Sequence, residues 1–192
     1  MLETEGTDTF VHALSRRYAS EKMKRLWSDD HRYTTWRKLW CCLARCQKKL
    51  GIPITDEQIA ELENERDRIN YGLVRRFEAE LRHDVLAHVR AYATQCPEAA
   101  PIIHLGATSC DITDNADLII IRDALEHVAL GLARVIHRMM TFARETKEIP
   151  TLGYTHLQPA QPTTVGKRAC MWAFDLVTDL RRIQHLIRTL PF

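Results

Sequence analysis

Apolar positions recur at three- and four-residue steps along most of this chain, a pattern that predicts helices joined by short breaks. Trp36, Leu39, Leu43, Cys46 and Leu50 predict a helix over about 34–50. Gly51 and Pro53 stop it, because glycine accepts a left-handed cap and proline cannot continue. Thr55-Asp56-Glu57-Gln58 matches a capping box and opens a second helix, with Ile59, Leu62, Arg66 and Ile69 as a weak stripe. A third helix is predicted over about 71–95, with Val74, Phe77, Leu81, Val85, His88 and Tyr92 on one face. Pro97 and Pro101 bracket a break, and 104–109 reads as loop.

The most regular stretch follows. Leu118, Ile121, Leu125, Val128, Leu132, Val135, Met139 and Phe142 alternate in steps of three and four, a coiled-coil-like seam. A helix of about 30 residues would be roughly 45 Å long. A small monomeric domain cannot bury such a stripe, so partner helices and self-association are expected. The segment 148–162, with its prolines and Gly153, is predicted as loop. A last helix over about 164–190 has its own stripe of Ala169, Trp172, Leu176, Leu180, Ile183, Ile187 and Leu190. The expected fold class is all-α: a small N-terminal helical domain over 1–112, then an incomplete central helical bundle over 113–192.

Composition agrees with this picture. Seven Gly and seven Pro in 192 residues lie mostly between the periodic stretches, and 45% hydrophobic content supports a real core. A net charge of +2 gives no electrostatic reason to expect nucleic acid or a membrane surface as partner. Met1 to Phe10 is polar without an apolar signal region, and the longest branched apolar run, Leu118 to Ile121, is far too short to cross a bilayer. The six cysteines form no C-x-x-C pair, so reduced thiols in a cytoplasmic protein are expected.

Three polar clusters are not absorbed by packing. Arg82-His83-Asp84 leaves His83 off the apolar stripe while His88 joins it. A zinc site is excluded on geometry, since His83 and His88 stand about 140° apart around a helix. Thr108-Ser109, just before the long helix, suits an anion, or else a turn in which Thr113 or Asp114 caps the helix. Thr155-His156, in the loop between two long helices, has no core to pack into, and histidine suits proton transfer near neutral pH.

At this loop a resemblance becomes visible. Residues 155–167, Thr-His-Leu-Gln-Pro-Ala-Gln-Pro-Thr-Thr-Val-Gly-Lys, resemble the T-H-x-Q-x-A-x-P-T-T-x-G-K segment of the fumarase/aspartase superfamily, with Tyr154 where many members carry Arg. Residues 15–20 (Ser-Arg-Arg-Tyr-Ala-Ser), 35–40 (Thr-Trp-Arg-Lys-Leu-Trp), 81–85 (Leu-Arg-His-Asp-Val) and 102–110 (Ile-Ile-His-Leu-Gly-Ala-Thr-Ser-Cys) are similar to animal-type adenylosuccinate lyases. The five motifs fall in the family's order and spacing, and the match covers nearly the whole chain beyond the first dozen residues.

The resemblance implies a β-elimination that releases fumarate from adenylosuccinate, giving AMP, and from the succinyl-carboxamide ribotide of purine synthesis. It implies His156 as proton donor, with Thr155 touching substrate. Arg17 and Tyr18 would hold the nucleotide, Arg82, His83 and Asp84 would form a second substrate segment, and Thr108 and Ser109 would bind the succinyl part. No metal or organic cofactor is implied, and the family's long helices build a homotetramer whose sites draw on three subunits. The family's base is a serine in a G-S-S-x-M-P-x-K-x-N-P loop, which does not occur in these 192 residues, so the chain is expected to be a fragment inactive alone. Argininosuccinate lyase and fumarase are the alternatives within the superfamily. A non-catalytic helical oligomerisation module is the alternative outside it, and a truncated regulator of full-length tetramers is a third reading.

Overall fold

A computed structural model describes residues 6–191; Met1 to Glu5 of the polar start, and Phe192, lie outside the described residues. Eight α-helices and one two-stranded hairpin follow in the order α1 (Ser15–Tyr18), α2 (Glu21–Leu26), α3 (Asp29–Lys49), α4 (Asp56–Glu65), α5 (Tyr71–Leu81), α6 (Asp84–Gln95), α7 (Ser109–Glu145), β1 (Pro150–Thr155), β2 (Gln158–Thr164) and α8 (Val165–Thr189). The all-α expectation holds, with the hairpin as its one exception among the described residues. The chain forms two compact units, one ending at Ile120 and the other spanning Ile121–Pro191, so the division falls inside α7.

In the first unit, α3 begins five residues earlier than the apolar stripe indicated. Ser28 caps it by accepting from the His31 N–H at 3.2 Å, and Asp29 and Asp30 occupy the first turn, where carboxylates favour the helix dipole. It ends as expected, with Gly51 at φ 92°. The buried face is Trp36, Trp40, Cys41 and Ala44, whereas Leu50 is exposed, so the face is rotated from the one the leucines suggested. The two indoles and Tyr92 explain the rotation: they offer more apolar area than Leu39 or Leu43, and the side able to bury them faces inward.

The capping box at Thr55 and Gln58 is present at the start of α4. Its other end is closed by side chains. Tyr92 donates its hydroxyl to the Leu62 carbonyl, and Arg37 Nη1 donates to the carbonyls of Glu65 at 2.6 Å and Arg68 at 3.0 Å. The last carbonyls of a helix have no partner within it, and a buried cation there also meets the negative end of the dipole.

The single helix expected over 71–95 is two. Arg82 adopts a left-handed conformation at φ 52° and caps α5, and His83 starts α6 by accepting from the Leu86 N–H at 3.4 Å. The apolar period runs through this break without a gap, so nothing in the pattern marks it. His88 is buried, with its ring 3.9 Å from that of Tyr33 and 5.2 Å from that of Trp36 between centroids. Burial, then nearby Arg37, push its pKa down to about 4, with Asp84 opposing. The folded chain therefore keeps His88 neutral where the unfolded chain takes up a proton. Stability is full above the ordinary histidine value of 6.5 and falls as pH drops towards about 4, on the order of 2–3 kcal/mol in all. Urea midpoints measured between pH 7 and 4.5 should show this slope, and His88→Leu should flatten it; an equal slope in the variant would exclude His88 as its source.

α7 runs seven residues beyond the length its seam required. Its buried positions are Ile112, Ala116, Ile120, Ala124 and Ala143, whereas Val128, Val135 and Phe142 of the seam stand 40–47% exposed.

In the second unit, the expected loop is a β-hairpin. Prolines at 150, 159 and 162 argued against strands, but on a two-stranded ribbon each can face the unpaired side, where no N–H is required. The ladder is irregular between Leu152 and Tyr154, which places Gly153 at a bulge. The hairpin returns the chain to the end of α7: Val165 N–H donates to the Ile149 carbonyl and Gly166 N–H to that of Thr146, both at 3.0 Å. Thr164 caps α8 through the Lys167 N–H at 3.2 Å.

Gly166, Ala169 and Ala173 form the buried face of α8, and Trp172 points outward, 57% exposed. A Cβ on Gly166 would strike the Ala143 carbonyl oxygen and lie 2.6 Å from Lys147 Cα. Because these are backbone atoms, Gly166→Ala should lose about 1–3 kcal/mol despite alanine's better helix propensity. A raised thermal midpoint in that variant would show that the approach is looser.

Candidate active site

Two of the polar clusters lie in the first unit. The turn between α5 and α6 presents Arg82, His83 and Asp84, all exposed. His83 Nδ1 lies 3.5 Å from Asp84 Oδ1, and Asp84 also accepts from the Val85 N–H at 2.7 Å. The loop before α7 is fixed from both ends. The Thr108 N–H donates to Asp111 Oδ2 at 2.8 Å while the Asp111 N–H donates to the Thr108 carbonyl at 3.1 Å. Thr108 thus takes the capping position considered for Thr113 or Asp114, because the helix starts at Ser109.

His104 lies four residues before Thr108 in the chain. Its pKa is lowered by burial, with Asp111 opposing and His83 adding to the shift, so it lies within electrostatic reach of both. Upstream, Gln47 Nε2 donates to the Leu105 carbonyl at 2.7 Å. Arg17 and Tyr18 sit exposed on α1 of the same unit, and no described hydrogen bond or ion pair ties them to the other candidates.

Thr155 and His156 belong to the second unit. Thr155 pairs with Gln158, so His156 and Leu157 are the two central residues of a tight hairpin turn. Both have positive φ, 47° and 64°. Two-residue turns of this kind favour Asn-Gly, since a side chain at positive φ crowds the backbone. Leu157 is 99% exposed and His156 is also exposed. From α8, Arg168 Nη2 donates to the Leu152 carbonyl at 2.9 Å and ties β1 to the helix.

Three other residues of the 155–167 motif have structural work: Thr164 caps, Gly166 allows close approach, and Thr163 pairs with Thr151. The strained, exposed histidine has none. Among the described residues no group of three or more His, Cys, Asp or Glu side chains gathers as a metal site, and all six cysteines are free. No described helix is long and apolar enough to cross a membrane.

A family model described as lyase matches residues 55–191, from the start of α4 through α8, which includes the histidine hairpin. The chain belongs to this lyase family. Within it, the chain is 47% identical over 179 residues to an adenylosuccinate lyase of Schistosoma mansoni, covering 93% of this chain and 37% of that relative. It is 48% identical over 181 residues to an adenylosuccinate lyase of Saccharomyces cerevisiae, covering 93% and 38%. Among solved structures it resembles a fumarate lyase from Mesorhizobium sp. BNC1, with a TM-score of 0.78 and 27% identity, covering 87% of this chain and 40% of that one. The chain thus spans a little over a third of the length of the curated relatives it matches.

Sequence reasoning did not single out Arg37, His104 or Arg168 for the roles they take in this lyase-family chain. Gly106, at φ 67°, was the one cue that the loop carrying His104 needs special backbone geometry.

Proposed function

We propose that these residues supply part of the active site of an adenylosuccinate lyase. His156 gives the proton to the departing nitrogen as fumarate leaves. The observation that carries this reading is the exposed imidazole on a two-residue turn whose central residues are both at positive φ, a position where histidine is costlier than the usual Asn-Gly. A proton donor must stand where substrate reaches it, and a fixed turn limits how far it can wander.

Arg17 and Tyr18 hold the phosphate side of the nucleotide, where a guanidinium fork suits an anion. Arg82, His83 and Asp84, with Thr108, Ser109 and Thr155, contact the remainder of the substrate. Stabilisation of the developing carbanion falls to hydrogen bonds and positive charge rather than to a metal or organic cofactor. The base is not among the polar clusters of these 192 residues, so the chain alone does not complete the elimination. The same reading makes the protein a cytoplasmic homotetramer with reduced thiols, its exposed α7 seam covered by other copies.

The test is a chimera in which these 192 residues replace the matching segment of the Saccharomyces cerevisiae relative. Fumarate release from adenylosuccinate, absent in the chain alone, is expected to return. A folded, assembled chimera that releases none would overturn the proposal.

A further inference from the structure

The loop that carries Thr108 and Ser109 is tied to the core by a side-chain hydrogen bond beside the buried Ile103. Trp40, 1% exposed in the core on α3, donates its indole N–H to His104 Nδ1 at 3.1 Å, and the two rings meet edge-on at 90° with centroids 6.1 Å apart. A neutral imidazole that accepts at Nδ1 must carry its proton on Nε2, so this bond fixes both tautomer and ring direction. His104 also has φ 64°, a conformation that turns the chain towards Gly106 and the cap of α7. Its neighbour Leu105 is held by Gln47 of the same helix.

We propose that His104 is a positioning residue: it locks the Thr108–Ser109 loop onto α3. It does so through the Trp40 bond and through its own left-handed backbone. Its effect on substrate rests on the lyase reading; its effect on the loop does not.

Asparagine separates this role from simple packing. It offers an acceptor oxygen and tolerates positive φ, whereas alanine does neither. In the 192-residue chain, His104→Ala should speed amide exchange over 105–111 by about tenfold, the loss of one neutral hydrogen bond, and shift the Trp40 indole N–H resonance. His104→Asn should stay near wild type in both. In the chimera, His104→Ala should raise KM about tenfold with little change in kcat, and His104→Asn should restore it.

Equal exchange in His104→Ala and wild type would overturn the proposal, as would equal impairment in the alanine and asparagine variants. Should His104→Ala fail to fold, the asparagine variant still decides, because an accelerated loop there refutes the role. A chimera inactive with His104 intact would count against the lyase reading, and the exchange data would still judge His104.

Discussion

Replacing His156 by asparagine in the chimera is expected to slow fumarate release by about 10²–10⁴-fold, the usual worth of a positioned general acid. Asparagine is the informative choice because of the backbone. His156 sits at φ 47° and Leu157 at φ 64°, and asparagine is among the few residues that accept such a conformation. The hairpin, the Thr155–Gln158 pairing and the Arg168 tie to Leu152 should therefore survive, and the loss isolates proton donation. An amide can hydrogen-bond the leaving nitrogen but cannot give it a proton. The loss should fall on kcat rather than KM, since the proton moves only in the transition state. Activity within about threefold of the parent would remove His156 from the chemistry, because a general acid that matters cannot be deleted so cheaply.

The largest expected stability loss is at Arg37, which is fully buried. Its guanidinium lies 4.1 Å from the centre of the Tyr92 ring, Nη1 caps the end of α4, and Nη2 donates to Gln95 Oε1 at 2.8 Å. Burial pulls its pKa down, and Tyr92, Cys96 and Glu65 hold it up in part. Arg37→Met fills most of the volume yet leaves the Glu65 carbonyl and Gln95 Oε1 without this donor. Both acceptors are only partly buried, so each lost bond costs towards the low end of about 1–3 kcal/mol, and with the lost ring contact a total of about 2–4 kcal/mol is expected. That is a large share of the roughly 5–15 kcal/mol that keeps a domain folded. Urea titration checks it; a loss under about 1 kcal/mol would show that α4 finds other partners or water for its last carbonyls. Arg37→Lys should fall between, because one ammonium cannot reach all three acceptors.

Much of the candidate site was legible by subtraction. His83 stood off the apolar face and proves to be an exposed cap, and His88 stood on it and proves to be buried. Thr155 and His156 had no stripe to join, and the hairpin places them outward. The break at Arg82 was not legible, because an apolar period can continue across a single left-handed residue. The hairpin was hidden for another reason: on an isolated ribbon, half of the N–H groups need no partner, so prolines lose their power to forbid a strand. Arg37, His104 and Arg168 escaped notice because their roles depend on what lies across the fold, 28 to 58 residues away for Arg37 and 64 for Trp40 with His104.

By itself the sequence determined the longer helical stretches from α3 onward, the stop at Gly51, the capping box and the polar groups that packing would not claim, since each follows from residues a few positions apart, while α1, α2 and the break at Arg82 escaped it. The tertiary structure alone decided which face of α3 turns inward, that a buried arginine closes α4, and that an indole holds the loop before α7. Those outcomes come from competition among distant groups for limited buried volume and for hydrogen-bond partners. A local pattern records what a residue prefers, whereas burial assigns the partner it receives.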